Sequence, residues 1–451
     1  MHPLLTIFFI VLTLAASAQN KPQPDYVRDW KRADSLAAKG LPKSALDIAS
    51  RIYKEAKTQK NYPQVAKAAM ARMIFRSYSD EDAYKELVRS LQIDIVETPE
   101  PAKSVLQSVL ADVYWQYFQQ NRYKFYNRAT VDKTAGKTEL NKAVDPADFS
   151  TWDAHHLIEA VTSAYLASVQ SKALLQKTPI AAYDVLLDRG DADARPLRPT
   201  LYDLLAHRAI EFFQNSEPDL LKPVFRFELD QATYLAAPEV FTKLVVQSRD
   251  SLSGRYQALL LYQQLLAFHS ADKTPDALAD TDVLRLAFVH RHSVLPERDS
   301  LYRKILENQA TAYKNQPTEA VYAYQLAEFL TNYGAPVRPL DDGDEPVSEA
   351  STPNRWNHKR AADICRDLVK RFPQTLAGKQ AAVLLNRLLL PSYSFQIEQI
   401  NIPQQPFRAL VTYQNVRKVL YRIIPLSTVE LQTYRDNTGT DDQKKSGSAN
   451  G

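Results

Sequence analysis

Few residues in this chain have the type and spacing that chemistry requires. His155 and His156 stand beside Asp153 and Glu159 where a helix begins. His156 and Glu159, three apart, share a helical face and make the nearest approach to a metal pair. A structural zinc ion takes four ligands, so the local pattern reads instead as a capping box of Ser150 and Asp153 with both imidazoles half exposed. His290 and His292 flank Arg291 and read as surface residues. No H-E-x-x-H run occurs, which closes the helical zinc-protease route. Cys365, the single cysteine, falls on an apolar helical stripe and reads as a buried structural thiol, since a reactive one needs an exposed electropositive setting.

Phosphate and acyl chemistry are equally bare. Thr134-Ala135-Gly136-Lys137-Thr138 has the end of a phosphate loop, but Val131 stands where that motif needs glycine and no buried strand precedes it. There is no G-x-S-x-G nucleophile turn. The acidic pairs Glu81-Asp82 and Asp341-Asp342 lie in charged runs and read as solvated surface. The sequence therefore nominates no catalytic residue, no cofactor-binding residue and no metal ligand. A dense aromatic cluster remains: Tyr114, Trp115, Tyr117, Phe118, Tyr123, Phe125 and Tyr126, with Arg122, Lys124 and Arg128. It reads as helix-on-helix core with basic flanks, a partner groove being the alternative.

The elements that would carry these residues are helices. Ten glycines in 451 residues is about 2%, against a usual ~7%. Glycine supplies the positive-φ positions of phosphate loops and tight hairpins, so few of either fit. Ala45, Ile48, Ala49, Ile52, Tyr53 and Ala56 recur at i, i+3, i+4, i+7, i+8 and i+11, as do Ala361, Ile364, Cys365, Leu368, Val369 and Phe372. Each set is one apolar stripe on an amphipathic helix. Broader stripes run from Val105 to Phe118 and from Tyr202 to Phe213.

The helices come in pairs. Trp30 to Lys39 ends at Gly40-Leu41-Pro42 and is followed by Ser44 to Lys57, with a third helix after Asn61-Tyr62-Pro63. Asp299 to Lys314 pairs with Thr318 to Tyr333, and Lys359 to Phe372 with Leu376 to Leu389. Short connections make neighbours antiparallel, and stacked antiparallel pairs build tetratricopeptide-like solenoids. The expected fold is thus all-α, an irregular solenoid of antiparallel helix pairs without a strict repeat.

The expected organisation is helical repeats over 19–129, a polar linker over 130–149 and middle repeats over 150–335. A charged stretch with two prolines, Gly190 to Pro199, interrupts the middle repeats. An acidic, proline-rich loop covers 336–356, most of it the run Pro336 to Pro353, and the last helix pair spans 357–390. Strands follow over 391–432: Tyr393, Phe395 and Ile397 alternate with polar residues, and Arg408 to Tyr413 and Val416 to Ile424 flank Gln414-Asn415 as a hairpin. The tail 433–451 is polar. A lone hairpin is marginal in water, so this segment lacks the rest of a sheet.

Leu4 to Leu14 is an apolar run ending near Ala16-Ser17-Ala18, which is the form of a signal peptide over 1–18 with cleavage between Ala18 and Gln19. It is shorter than the ~20 apolar residues a bilayer span needs, and no such span follows it. Export to the periplasm or cell surface is expected. Lys and Arg number 56 against 52 for Asp and Glu, a net charge of +4 with the signs interspersed. That balance is no argument for a nucleic-acid partner.

Trp30-Lys31, Asp34-Ser35-Leu36, Lys39-Gly40-Leu41-Pro42-Lys43-Ser44-Ala45-Leu46, Ile52-Tyr53 and Ala56-Lys57 resemble the start of the very large bacterial (Bacteroidetes) alpha-2-macroglobulin-like proteins. Ile402-Pro403, Pro406 to Val411 and Tyr413-Gln414-Asn415-Val416 are similar to the point where those proteins pass from helices into their first β-sandwich. The resemblance covers the mature chain. It implies an envelope location, an incomplete macroglobulin-like sandwich at the C-terminal end, and proteases or macroglobulin-like domains as partners. The family's trap uses a Cys-x-x-Gln thioester and a series of sandwiches, and this sequence has neither. The resulting expectation is a non-enzymatic scaffold or protein-interaction module. The rivals are an envelope hydrolase with a dispersed site and a truncated gene fragment without independent function.

Overall fold

Alanine-rich stripes and well-placed stops give the N-terminal helices their shape in the computed structural model. The structure describes residues 25–76, 81–134, 149, 152–187, 192–215, 227–250, 252–333, 354, 356–397, 402, 405–422 and 424–434. Helix α1 (Tyr26–Ala38) ends where Gly40 takes φ +73°. The Leu41 amide then donates to the Leu36 carbonyl and the Gly40 amide to Ala37, each at 3.0 Å. This pair of bonds satisfies carbonyls that the end of a helix otherwise leaves bare. Pro42, whose missing N–H costs nothing at a first helical position, opens α2 (Pro42–Thr58).

Ala45, Ala49, Ile52, Tyr53 and Ala56 are buried on one face of α2, as the periodicity predicts. The small Ala45, Ala49 and Ala56 lie on the buried face of α2, which packs against both α1 and α3 (Tyr62–Arg76). Trp30 Nε1 joins the two outer helices by donating to Gln64 Oε1 at 2.8 Å. Helix α4 (Glu81–Glu97) leads to α5 (Ala102–Thr134), so helix continues to Thr134 where the polar linker is expected from 130. α6 (Ala154–Ser168) packs on α5, followed by α7 (Lys172–Lys177). Residues 192–197 form a 3-10 turn and Arg198 pairs with Asp280, so the charged stretch before Pro199 is tied down.

The middle of the chain departs from regular pairs. α8 (Leu201–Phe213) packs against α10 (Gly254–His269), and α10 against α11 (Asp276–His292). Gly254 is required here, because a Cβ would meet the Phe213 carbonyl oxygen at 2.6 Å. Between α8 and α10, residues 227–250 hold only the 3-10 turn Ala232–Leu235 and the single turn α9 (Pro238–Phe241). The helices expected over 150–335 are therefore interrupted at 227–250 as well. The proline at 238 and bonds leaving the segment replace a helix: the Ser293 hydroxyl and the Val294 amide both donate to the Leu229 carbonyl, at 2.9 and 3.2 Å. Beyond lie α12 (Arg298–Ala312) packed on α13 (Pro317–Asn332), α14 (Asn357–Arg371) packed on α13, and α15 (Leu376–Leu389).

The chain divides into two units, one ending at Ala381 and the other beginning at Ala382. Among the described residues the fold is mostly helical, with one two-stranded antiparallel sheet in the second unit. No helix among them is long and apolar enough to cross a membrane.

The sheet pairs β1 (Ser392–Ile397) with β2 (Ala409–Gln414). This corrects the expected hairpin: Gln414-Asn415 ends β2 and does not turn it onto 416–424. Asn415 takes φ +57°, and its side-chain amide donates back to the carbonyls of Leu388 at 2.7 Å and Leu390 at 3.1 Å. Residues 428–434 are helical, not strand. Ser427 caps them, with its hydroxyl and amide donating to Glu430 Oε2 at 2.7 and 2.8 Å.

Candidate interaction surface

The register of the sheet sorts its side chains by chemistry. Tyr393 faces Tyr413, Phe395 faces Val411 and Ile397 faces Ala409. Alternate residues of a strand point to one side, so these six apolar residues share a face. Ser392, Ser394, Gln396, Leu410, Thr412 and Gln414 share the other. Such a division belongs to a sheet with one face against a core and one in water. Yet Tyr393 is 68% exposed, Phe395 41%, Ile397 54% and Tyr413 62%. Ile402, Phe407, Leu420 and Tyr421 are exposed beside them in sequence. Within the second unit nothing among the described residues covers the apolar face, and each strand has one edge unpaired in that sheet.

The other groups singled out by sequence are structural or isolated. Asp153 caps α6 by accepting from the His156 amide at 2.8 Å, and its Oδ1 also lies 2.8 Å from His156 Nδ1. Asp153 is thus the cap of α6, while Ser150, its expected partner in a capping box, lies outside the described residues. His155 Nδ1 reaches only Glu159, at 4.0 Å, and no cluster of three metal-ligating side chains occurs among the described residues. His290 corrects the surface reading: it is buried, stacked on Tyr302 with centroids 4.4 Å apart, and bonded through Nε2 to Asp299 at 2.7 Å. His292 is half buried.

The aromatic cluster is core. Tyr114, Tyr117, Phe118 and Phe125 are buried, whereas Tyr123 is exposed. Tyr117 meets Phe149 edge-on at 4.8 Å and Trp115 meets Phe212 at 5.1 Å, which joins α5 to α8. Position 137, Asp341-Asp342, the acidic loop 336–353 and the signal segment lie outside the described residues, as do the side chains of Glu81 and Asp82.

Cys365 is fully buried, and burial pushes its thiol up to about 11. A thiol disulfide reagent at pH 8 is expected to leave the folded chain unmodified and to label one thiol on unfolding, since the thiolate is the reactive form. Stoichiometric labelling within seconds under native conditions would refute the buried assignment.

One polar cluster was not legible in sequence. In the first unit, His269 places Nε2 2.9 Å from Asp203 Oδ1 and Nδ1 2.8 Å from Asp272 Oδ2. Asp203 also closes the capping box of α8, its Oδ2 accepting from the Thr200 amide at 2.8 Å and hydroxyl at 2.9 Å. A neutral imidazole donates from one nitrogen only, so two carboxylates call for the charged ring. Burial opposes that charge, but the bonds and charges of Asp203 and Asp272 outweigh it and raise the His269 pKa. Among the described residues His269 bonds only to these two carboxylates, and the Thr200 hydroxyl on Asp203 is taken up by the capping box. This Asp–His–Asp arrangement is an ion network that fixes α8 to α10. The Thr200-x-x-Asp203 and His269-x-x-Asp272 spacings were its local signals.

No protein-family model matches the chain, and no curated protein or solved structure does so either.

Proposed function

We propose that the chain is a non-enzymatic, exported scaffold. Its irregular tetratricopeptide-like helix pairs carry an amphipathic β-hairpin whose apolar face docks the β-sheet of a partner domain. The single observation behind this reading is that face: Tyr393, Phe395, Ile397, Val411 and Tyr413 aligned on one side of a two-stranded sheet and largely exposed. Two strands do not hold themselves together in water, whereas a second sheet packed about 10 Å away completes a sandwich. The alternation of the strands suits such a mate. The resemblance to the front of macroglobulin-like proteins supports the same kind of partner, and the apolar run before Ala18 supports export.

A photo-crosslinking side chain at position 393, in cells exporting the full chain, is expected to capture a β-rich domain. The same probe at the exposed helical position Val96 should not. With Phe395→Asp and Ile397→Asp together, capture from 393 should be lost while helical circular dichroism stays unchanged. Equal crosslinking from both positions, or capture that survives the paired aspartates, would overturn the reading.

A further inference from the structure

Two hollows in the first unit follow one another along α13 and share Gln325 and Glu328 in their walls. The first encloses about 540 Å³ and the second about 590 Å³, each within the size range of ordinary ligand pockets. Their net charges differ in sign, because Glu328 lines both and only the second holds arginines. The first is walled by α11, α13 and the start of α15, and its charged residues are Asp276, Asp280 and Glu328. Asp280 Oδ2 is buried without a hydrogen bond, with Arg198 Nε 3.5 Å away. The second hollow is walled by Arg291 and Arg298, with the shared Glu328 and His290 beside them and Tyr302, Phe329 and Tyr333 as its aromatic wall. Arg298 is partly committed, donating to the Ser293 carbonyl at 2.9 Å and lying 3.8 Å from Asp299 Oδ1, while Arg291 is exposed.

The other polar walls include the amides Gln325, Gln374 and Gln380 with the hydroxyls of Tyr324 and Thr375 in the first hollow, and Gln325 with Asn332 in the second. Such side chains both donate and accept, which matches the unpaired N–H and C=O groups of an extended backbone. Leu197, Leu284, Val321 and Leu376 supply an apolar floor to the first hollow. Buried charges are held by partners of opposite sign. We propose that the paired hollows bind an extended peptide of a partner protein, a Lys or Arg side chain entering the acidic hollow and a carboxylate the arginine-walled one. This deepens the scaffold reading by giving the helical unit its own ligand, separate from the hairpin.

The test pans a random dodecapeptide phage library against the immobilised full chain, then titrates synthetic peptides of the enriched sequences. Peptides bearing both a basic and an acidic residue are expected. Their affinity should fall at least tenfold in Asp276→Asn with Glu328→Gln, and severalfold in Arg291→Gln. Reversing the peptide's charges should abolish binding, and Phe395→Asp with Ile397→Asp should leave it intact. Enrichment of uncharged or single-sign peptides, affinity unmoved by the hollow variants, or saturable binding of spermidine without any peptide enrichment would each overturn the proposal. Peptide binding lost only with the hairpin aspartates would also overturn it. Crosslinking from position 393 is read separately, so the hairpin reading stands or falls on its own.

Discussion

Replacing Arg285 by Met is expected to destabilise the first unit by about 3–5 kcal/mol, the usual cost of stranding one partner of a buried ion pair. Arg285 and Asp282 are both fully buried on α11. The guanidinium Nε donates to Asp282 Oδ1 at 3.1 Å, and Nη2 closes a second bond to the same oxygen. Nη1 donates to the Tyr234 carbonyl at 2.6 Å and Nη2 to Ala236 at 2.9 Å. The cation also lies 4.5 Å from the Phe241 ring centre. One side chain therefore holds down the segment 232–241, which has only a 3-10 turn and a single α-helical turn of its own. Burial already raises the Asp282 pKa against the pull of Arg285. Without the arginine, Asp282 would keep only the Tyr322 hydroxyl, which donates to it at 3.1 Å.

Urea unfolding should show the loss, and limited proteolysis should cut within 227–250 at protease levels that spare the parent. Arg285→Met with Asp282→Leu is expected to recover part of the stability, because an apolar pair strands no charge. A single variant within about 1 kcal/mol of the parent would contradict the anchoring role.

The second large effect is on acid stability. Burial, and after it the charge of Arg198, lowers the His207 pKa to about 3, and its Nε2 is buried without a hydrogen bond. In the unfolded chain the same ring titrates near 6.5. The unfolded state thus takes up a proton that the folded state refuses, so stability is lost as pH falls from about 6.5 towards about 3. Each pKa unit corresponds to about 1.4 kcal/mol, so a few kcal/mol are at stake by about pH 4. His269 acts with the opposite sign. Its raised pKa gives stability that is complete below about 6.5 and lost as pH rises through the folded value.

His207→Leu is accordingly expected to flatten the fall in Tm between pH 7 and pH 4 and to change Tm little at pH 7. His269→Asn should lower Tm most in acid and neutral solution and least at alkaline pH. Measuring Tm against pH for both variants checks this. An acid slope identical to the parent in His207→Leu would sink the assignment.

The local features of the chain were readable because they rest on nearest neighbours in sequence. Gly40-Leu41-Pro42 states both the end of α1 and the start of α2. The α2 and α14 stripes state which faces are buried, and the burial of Cys365 follows from its place on one of them. The strand alternation at Tyr393, Phe395 and Ile397 likewise stated an amphipathic β1. Its partner was misread, because the run after Asn415 is as β-prone as the run before it. Only the bonds from Asn415 to Leu388 and Leu390 settle where β2 ends.

Long-range polar matches carried no such signal. Asp203 and His269 are 66 positions apart, and Arg285 reaches Tyr234 across 51. Nothing in the local spacing of these residues separates them from solvated charges, and His290 reads as surface until Tyr302 is stacked on it. The sequence by itself thus determined the helical class, the main helix limits and the lack of recognised catalytic motifs, since period, caps and breakers act within one or two turns. The tertiary structure decided which charges are buried, which irregular segment an arginine holds down, and that one face of β1 and β2 is bare. Those outcomes depend on which distant segments exclude water from a given side chain, and no local pattern records that.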